Sequence, residues 1–211
     1  MGGGWIGKSG APGGNVLQTG VFSLAEMNEA KLRKAWYGMF QDTFDTDSSA
    51  QYTQHNAGSW TISGGELVAV GGTQTAFIRN GTSFADVIVE CDSNFTDSGG
   101  LVARFQDANN YYILRMMDDS GAIPTQNLAI LRRSGGSNTT LASVDLSWPR
   151  NTTAKTRFEL IGATINGYFN ETLVVTATDS TITAAGGVGV RNDGGGSSTS
   201  KYQAFRWQVP A

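Results

Sequence analysis

The pattern of hydrophobic and polar residues changes at Phe40 of this chain. Residues 1–39 contain a glycine-rich stretch and then one segment with apolar residues at helical spacing. Ser23 and Glu26 have the spacing of a capping box, so the pattern predicts one short amphipathic α-helix over residues 24–36. From Phe40 onward, short alternating runs are separated by Gly, Asn, Asp and Ser, which is typical of β-strands and turns.

The second part of the chain contains about a dozen such runs with no helical pattern between them, which predicts an all-β antiparallel sandwich. The run Tyr111–Met117 is apolar on both of its alternating faces. One face must therefore line the core, while the other is covered or forms a surface groove. Asn166 and Gly167 lie between two short runs, and Asn-Gly is favoured in two-residue hairpin turns. We therefore predict a hairpin turn at these two residues.

Length and charge limit the classes of protein. The chain has 211 residues, 39% of them hydrophobic, so we expect an N-terminal segment over residues 1–39 and one β domain over residues 40–211. The net charge of −3 is spread along the sequence and leaves no basic surface for nucleic acid. No apolar run reaches the length of about 20 residues that crosses a membrane, so no membrane insertion is expected. Cys91 alternates with apolar residues and is predicted to be a small core residue.

The N-terminal segment is too rich in glycine to order itself, because it cannot bury enough apolar surface. A helix of this length is also marginal in water unless it docks on another surface. That surface is either the β domain or a neighbouring subunit, and the sequence leaves both open. We expect other proteins and further copies of this chain as partners, with a trimer as the expected homo-oligomer. The side chains able to anchor the segment are Trp5, Ile6, Val16, Leu17, Phe22, Leu24, Met27 and Leu32.

Candidate chemistry is sparse along the chain. His55 is the single histidine, there is no Gly-x-Ser-x-Gly motif, and one histidine with one cysteine cannot supply the ligands of a zinc site. We therefore name no catalytic residue, no metal ligand and no cofactor. Calcium alone stays open because it binds oxygens, which the sequence offers at Asp42, Asp45 and Asp47 or at Asp118–Asp119.

Three stretches of the N-terminal segment carry a resemblance, namely Gly4–Gly7, Gly20–Glu26 and Lys31–Trp36. Their order resembles the opening segment of many tailed-bacteriophage structural proteins, in which a glycine-rich arm precedes a Gly-Val-Phe/Trp-Ser-Leu turn and a helix. The usual Trp-Pro after the helix is Trp36–Tyr37 here. The resemblance implies attachment to a virion through residues 1–39. Such a protein is assembled in the host cytoplasm and displayed on the particle exterior, as a tail fibre, a baseplate component or a capsid decoration protein.

The residues that carry a second resemblance span nearly the whole β domain: Phe40–Asp45, Gly58–Trp60, Gly65–Leu67, Gly99–Phe105, Asp107–Tyr112, Phe158–Leu160, Ile165–Gly167, Gly186–Arg191 and Phe205–Trp207. They resemble the concanavalin A-like lectin/glucanase superfamily, in particular its laminin-G-like jelly rolls. The resemblance implies two antiparallel sheets with the first and last strands adjacent. Glycoside hydrolases of this superfamily carry Glu-x-Asp-x-x-Glu on one strand. This chain has Glu90 and Asp92, but Phe95 stands in place of the second glutamate.

These features support three hypotheses. The leading one is a non-enzymatic structural component of a phage particle that docks through its N-terminal segment and displays a lectin-like jelly roll. The alternative is a carbohydrate-binding module for host-surface glycans, since aromatic rings stack on sugars and guanidinium groups bind hydroxyls. Its candidate residues, on a concave sheet face, are Trp60, Tyr111, Arg115 and Arg132. The second alternative is a glycan-cleaving enzyme that uses Glu90 or Asp92.

Overall fold

Two antiparallel β-sheets form a sandwich, which confirms the predicted all-β jelly roll. A 3-10 turn at Ser49–Gln51 is the one helical element in the part of the chain that the structure describes. No helix in that part is long and apolar enough to cross a membrane. The computed structural model describes residues 40–72, 74–118, 126–148, 152–194 and 199–210.

The predicted N-terminal segment, including its helix over residues 24–36, lies outside the described residues. The same holds for every predicted anchor side chain: Trp5, Ile6, Val16, Leu17, Phe22, Leu24, Met27 and Leu32. The predictions that depend on this segment therefore stay predictions.

Fifteen strands follow one another in the described part of the chain. They are β1 (Phe40–Asp42), β2 (Tyr52–His55), β3 (Ser59–Ser63), β4 (Glu66–Val70), β5 (Thr75–Arg79), β6 (Val87–Phe95), β7 (Ser98–Asp107), β8 (Asn110–Asp118), β9 (Gln126–Ser134), β10 (Ser137–Leu146), β11 (Ala154–Ile161), β12 (Thr164–Phe169), β13 (Thr172–Thr178), β14 (Gly187–Asn192) and β15 (Thr199–Gln208).

The strands divide between two sheets that we call sheet A and sheet B. Sheet A has the spatial order β13, β12, β11, β6, β15, β4 and β3, with β1 also paired to β15. Sheet B has the order β10, β9, β8, β7, β14, β5 and β2. Phe40 pairs with Trp207, so the first and last strands of the domain are adjacent, as the resemblance implies.

The core lies between the sheets, and every second residue of the central strands points into it. Sheet A contributes Val87, Val89 and Cys91 from β6, and sheet B contributes Tyr112 and Leu114 from β8. Burial raises the pKa of the Cys91 thiol to about 12. Cys91 is therefore the small, unreactive core residue that the sequence predicted.

The predicted hairpin turn at Asn166–Gly167 is wrong. Both residues lie inside strand β12, and the turn to β13 is made by Asn170–Glu171, whose φ angles are 46° and 67°. Gly167 faces the core, where an added Cβ atom would lie 2.6 Å from a methyl carbon of Leu114 and 2.6 Å from one of Val175. Glycine is needed at this position for close packing of the sheets rather than for a turn.

Candidate functional site

The outer faces of the two sheets differ in composition and in exposure. Outward side chains of sheet A, such as Ile88, Arg157 and Tyr168, are half-buried. At the centre of sheet B, consecutive residues of β5, β7, β8, β9 and β14 are all buried. Packing against sheet A buries only the inner face of sheet B. The centre of its outer face is buried as well, and it is therefore less accessible than the outer face of sheet A.

The apolar patch is the buried part of this outer face. Its members are Ala76, Ile78, Val102, Phe105, Tyr111, Ile113, Ala129 and Leu131. Ile113 pairs with Val102 on one side and with Leu131 on the other, so these side chains lie next to one another. Near-continuous apolar runs of this kind are typical of strands that are covered on both faces.

Aromatic and basic side chains border the apolar patch. The Arg191 guanidinium donates a 2.9 Å hydrogen bond to the Tyr111 hydroxyl and lies over the ring of Tyr111. The rings of His55 and Phe105 are in contact, with their centroids 4.6 Å apart. Burial raises the pKa of Tyr111 and lowers the pKa of His55, so both side chains are neutral at pH 7.

The polar patch lies on the same outer face, towards the ends of β8 and β9 that residues 119–125 join. It consists of Arg115, Met117, Asn127, Ser143 and Asp145. The strand register arranges these residues in two rows. In the first row, Arg115 and Ser143 pair with Ala129 of β9 from opposite sides; in the second, Asn127 of β9 pairs with Met117 on one side and Asp145 on the other. Ser143 and Asp145 are exposed, and the other three are half-buried. The patch thus combines a guanidinium, an amide, a hydroxyl and a carboxylate.

Two buried atoms of the polar patch have no hydrogen-bond partner. They are Nε of Arg115, which is a donor, and Oδ1 of Asn127, which is an acceptor. These residues are diagonal neighbours on adjacent strands, a spacing that long side chains bridge. A buried polar group without a partner costs about 1–3 kcal/mol. Both atoms are shielded from solvent, so a ligand would meet the polar patch at the exposed side chains of Ser143 and Asp145 and at the accessible parts of Arg115 and Asn127.

The structure distributes the four predicted glycan residues over different faces. Tyr111 and Arg115 share the outer face of sheet B. Trp60 lies on the inner face of sheet A, where its ring stacks on an aromatic ring of sheet B with centroids 4.7 Å apart. Arg132 lies on the opposite side of β9 from the apolar patch and forms a 2.5 Å ion pair with Asp179. The fold brings Tyr111 and Arg115 together and keeps Trp60 and Arg132 away from them.

Asp179 is the centre of a hydrogen-bond network at one end of the sandwich. Its carboxylate accepts hydrogen bonds from the Tyr112 hydroxyl, from Arg132 and from the backbone N–H of Thr181. Burial raises the pKa of Asp179, but these donors outweigh burial, and the net result is a lowered pKa. Burial raises the pKa of Tyr112 to about 12. The network therefore stabilises the connection that follows β13.

The two carboxylates considered for catalysis, Glu90 and Asp92, lie on the outer face of sheet A. Glu90 pairs with Arg157 on one side and Arg206 on the other, and Asp92 pairs with Lys155. Opposite charges at paired positions stabilise neighbouring strands. The ion pairs that Lys155 and Arg157 form are with Glu171 and Glu159, so Glu90 and Asp92 face these cations across the strands without being their closest partners.

Two of the acidic residues considered for calcium, Asp42 and Asp47, are engaged by the protein itself, whereas Asp45 is exposed. Asp42 is buried, and its oxygens accept hydrogen bonds from one backbone N–H and two side-chain hydroxyls. Asp47 accepts a hydrogen bond from the backbone N–H of Ser49. The side chain of Asp118 and the whole of Asp119 lie outside the described residues. Among the residues that are described, no group of three or more His, Cys, Asp or Glu side chains is placed to hold a metal ion.

Comparison with known proteins shows similarity at the level of the fold. No protein-family model matches the chain, and no curated protein matches it. The carbohydrate-binding module CBM66 from Bacillus subtilis is 19% identical with a TM-score of 0.64, over 75% of this chain and 96% of that chain. A Bacillus subtilis protein of unknown function with a galectin-like fold is 10% identical with a TM-score of 0.63, over 81% and 94%. The β-glucanase of Bacillus licheniformis is 10% identical with a TM-score of 0.62, over 82% and 99%.

Sequence reasoning does not single out Asn127, Ser143 or Asp145. Each is one polar residue in an alternating strand, where it looks like any outward side chain. The alternation of Ser143, Val144 and Asp145 is the one signal that places two of them on a common face. Their position beside Arg115 depends on the pairing of β8, β9 and β10, which alternation within one strand does not reveal.

Proposed function

We propose that this protein is a non-catalytic carbohydrate-binding domain that holds a glycan on the polar patch. The observation that carries the proposal is the arrangement of the polar patch, in which the register places Arg115, Asn127, Ser143 and Asp145 beside one another on one outer sheet face. A sugar hydroxyl both donates and accepts hydrogen bonds, so neighbouring hydroxyls of one sugar suit the donor and acceptor groups of this patch. Guanidinium groups also form the stronger, charge-assisted class of hydrogen bond.

The charges of the polar patch favour a neutral ligand with many hydroxyls. Asp145 repels an anion and Arg115 repels a cation, whereas a neutral sugar bonds to both. Ser143 adds a further hydroxyl, and Met117 offers an adaptable apolar surface to the C–H face of a sugar ring. The fold adds support by analogy, because one similar structure is a carbohydrate-binding module.

The test is binding of the full chain to an array of polysaccharides and oligosaccharides, followed by calorimetric titration of the ligands found. Arg115→Ala removes a charged donor and should weaken binding by about 1.5–3 kcal/mol, which is roughly 10- to 150-fold. Asn127→Ala removes a neutral partner and should weaken binding by about 0.5–1.5 kcal/mol, or roughly 2- to 10-fold.

Arg157→Ala is the matched control. Arg157 is also a half-buried outward residue whose Nε has no partner, but it lies on sheet A with its guanidinium 3.6 Å from the centre of the Tyr168 ring. Retained affinity in this variant, together with lost affinity in Arg115→Ala, supports the polar patch. The reverse pattern, or a wild-type protein that binds no glycan on the array, contradicts the proposal.

The non-catalytic part of the proposal has its own test. The polar patch contributes one carboxylate, Asp145, whereas glycoside hydrolysis typically uses a pair. Prolonged incubation of the full chain with its bound glycan should leave the chain length of that glycan unchanged. Release of new reducing ends that Glu90→Gln abolishes would favour the glycan-cleaving alternative instead.

We further propose, from the resemblance of residues 1–36, that this domain is displayed on a phage particle in several copies. These residues lie outside the described part of the chain, so the support is the sequence alone. Mass spectrometry of particles from a phage that encodes this chain tests the location, and native mass measurement of the purified protein tests the expected trimer. A monomeric protein that is missing from the particles contradicts both points.

A further inference from the structure

The sequence contains two Asn-Gly pairs, and the fold places them in opposite environments. Asn80 and Gly81 form the exposed turn that follows β5. Asn166 and Gly167 lie inside β12, where Gly167 is buried. In an Asn-Gly pair the backbone nitrogen of glycine can attack the asparagine side chain, because glycine has no Cβ atom to shield that nitrogen. The two pairs therefore carry the same chemistry on different backbones.

The backbone nitrogen of Gly81 is free to react. Gly81 has a φ angle of 73°, in the left-handed region that glycine adopts without strain. Its N–H donates no hydrogen bond to any of the described residues. Among the same residues, an added Cβ atom at Gly81 would meet nothing within 4 Å. The turn is therefore neither paired nor packed at this residue, and rotation about the bonds of Asn80 brings the nitrogen to the Asn80 side chain.

The Asn80 side chain is held with its oxygen against a hydrogen-bond donor. Nδ2 of Asn80 donates a 3.3 Å hydrogen bond to the backbone carbonyl of Ala50, which fixes the orientation of the amide. The Thr53 hydroxyl donates a 2.6 Å hydrogen bond to Oδ1 of Asn80. When a nucleophile adds to Cγ of Asn80, negative charge develops on Oδ1, and a donor that is already in place stabilises that charge. The Thr53 hydroxyl therefore favours attack at Cγ.

The second Asn-Gly pair has a similar side-chain environment but a fixed backbone. The Thr176 hydroxyl donates a hydrogen bond to Oδ1 of Asn166, so both asparagines have a donor on the same oxygen. Gly167, however, pairs with Phe158 of β11 on one side and with Val175 of β13 on the other. Its nitrogen can reach the Asn166 side chain only after these strands separate. The fold therefore protects this pair.

We propose that Asn80 is a site of spontaneous deamidation in the folded protein. The backbone nitrogen of Gly81 forms a bond to Cγ of Asn80, the bond from Cγ to Nδ2 breaks, and the amide leaves as ammonia with the proton of the Gly81 nitrogen. Water then opens the cyclic imide, at one carbonyl to give aspartate and at the other to give isoaspartate. Each conversion consumes a water molecule, releases an ammonia molecule and needs no oxidant or reductant.

Deamidation at Asn80 changes the contacts of the 3-10 turn at Ser49–Gln51. The Asn80 backbone N–H donates a 2.9 Å hydrogen bond to the carbonyl of Gln51, next to the contact between Nδ2 and Ala50. A carboxylate at residue 80 has no N–H to donate to Ala50, and isoaspartate also lengthens the main chain. The attachment of this turn to β5 therefore weakens as the protein ages. The reaction requires no glycan, so it stands or falls independently of the polar patch.

Peptide mapping by mass spectrometry tests this reaction in the full chain. The protein is incubated at pH 8 in water enriched in heavy oxygen, so that only product formed during the incubation carries the heavy isotope. In the folded chain, we expect the product to form at Asn80 more than about 10-fold faster than at Asn166, because reaction at Asn166 requires opening of a strand that is paired on both sides. In concentrated urea, which removes this protection, both asparagines should react at similar rates.

Variants of the two hydroxyl donors test the role of Thr53. Thr53→Val keeps the branched shape that suits a strand but removes the donor, and it should slow the reaction at Asn80 by roughly 2- to 10-fold. Thr53→Ser keeps a hydroxyl and should react like the wild type. Thr176→Val is the matched control, which removes the donor on Asn166 and should leave the rate at Asn80 unchanged. A folded chain in which Asn80 reacts no faster than Asn166, or an undiminished rate in Thr53→Val, overturns the proposal.

Discussion

Gly167→Ala should destabilise the domain, because the space beside Gly167 is already filled. An added Cβ atom would lie 2.6 Å from a methyl carbon of Leu114 and 2.6 Å from one of Val175, whereas carbon atoms in contact prefer about 3.5–4.0 Å. The neighbours must therefore move by about 1 Å in a close-packed core, which typically costs about 1–3 kcal/mol. Alanine loses less backbone entropy than glycine on folding and offsets about 0.5–1 kcal/mol of this cost. We expect a net loss of about 1–2 kcal/mol.

Urea unfolding followed by tryptophan fluorescence measures this loss, and a slope of about 2 kcal/mol/M converts it to a midpoint lowered by roughly 0.5–1 M. Val175→Ala removes one of the two clashing methyl groups, so Gly167→Ala should cost much less in that background. Gly162→Ala is the control, because an added Cβ atom at Gly162 meets nothing within 4 Å, and its cost should be the same in both backgrounds. An equal cost of Gly167→Ala with and without Val175→Ala would refute the steric explanation.

Two further predictions concern the Asp179 network and His55. Asp179→Ala leaves Arg132 and Tyr112 without their shared acceptor and should lower the unfolding free energy by about 2 kcal/mol in urea at pH 7. The folded-state pKa of Asp179 lies below its ordinary value of 3.8, so the difference in unfolding free energy between wild type and variant should shrink as the pH falls below 3.8. A difference that stays constant at low pH would contradict a contribution from the Asp179 carboxylate. The folded-state pKa of His55 lies below its ordinary value of 6.5, so its contribution to stability is present above pH 6.5 and is lost as the pH falls through the folded pKa. His55→Gln should therefore reduce the fall in the urea midpoint between pH 7.5 and pH 5. A fall as large as that of the wild type would show that groups other than His55 cause it.

The fold could be predicted from local patterns because those patterns are strong. Short alternating runs with turn residues between them indicated an all-β sandwich, and the two sheets confirm it. The alternation around Cys91 placed that residue in the core. The apolar character of both faces of Tyr111–Met117 indicated that its strand is covered twice or lines a groove, and Tyr111 and Ile113 are both fully buried.

The candidate site could not be predicted in the same way, because it depends on which face of each strand points inward. A shift of one residue moves every side chain of a strand to the other face, and alternation alone does not say which face is which. Trp60 and Arg132 therefore looked like partners of Tyr111 and Arg115, although they lie on inner faces. Gly167 shows the same limit. The Asn-Gly pair predicted a turn, whereas Gly167 lies inside β12, where it allows the two sheets to pack closely.

Glycan binding at the polar patch is tested most directly by mapping where a bound glycan contacts the protein. Amide chemical shifts of the isotope-labelled full chain would be followed while a glycan that binds on the array is added. We predict that the shifts change at Arg115, Asn127 and Ser143 and stay constant at Glu90 and Arg157 on sheet A. Changes confined to sheet A, or no change at a saturating concentration of that glycan, would contradict the proposed site.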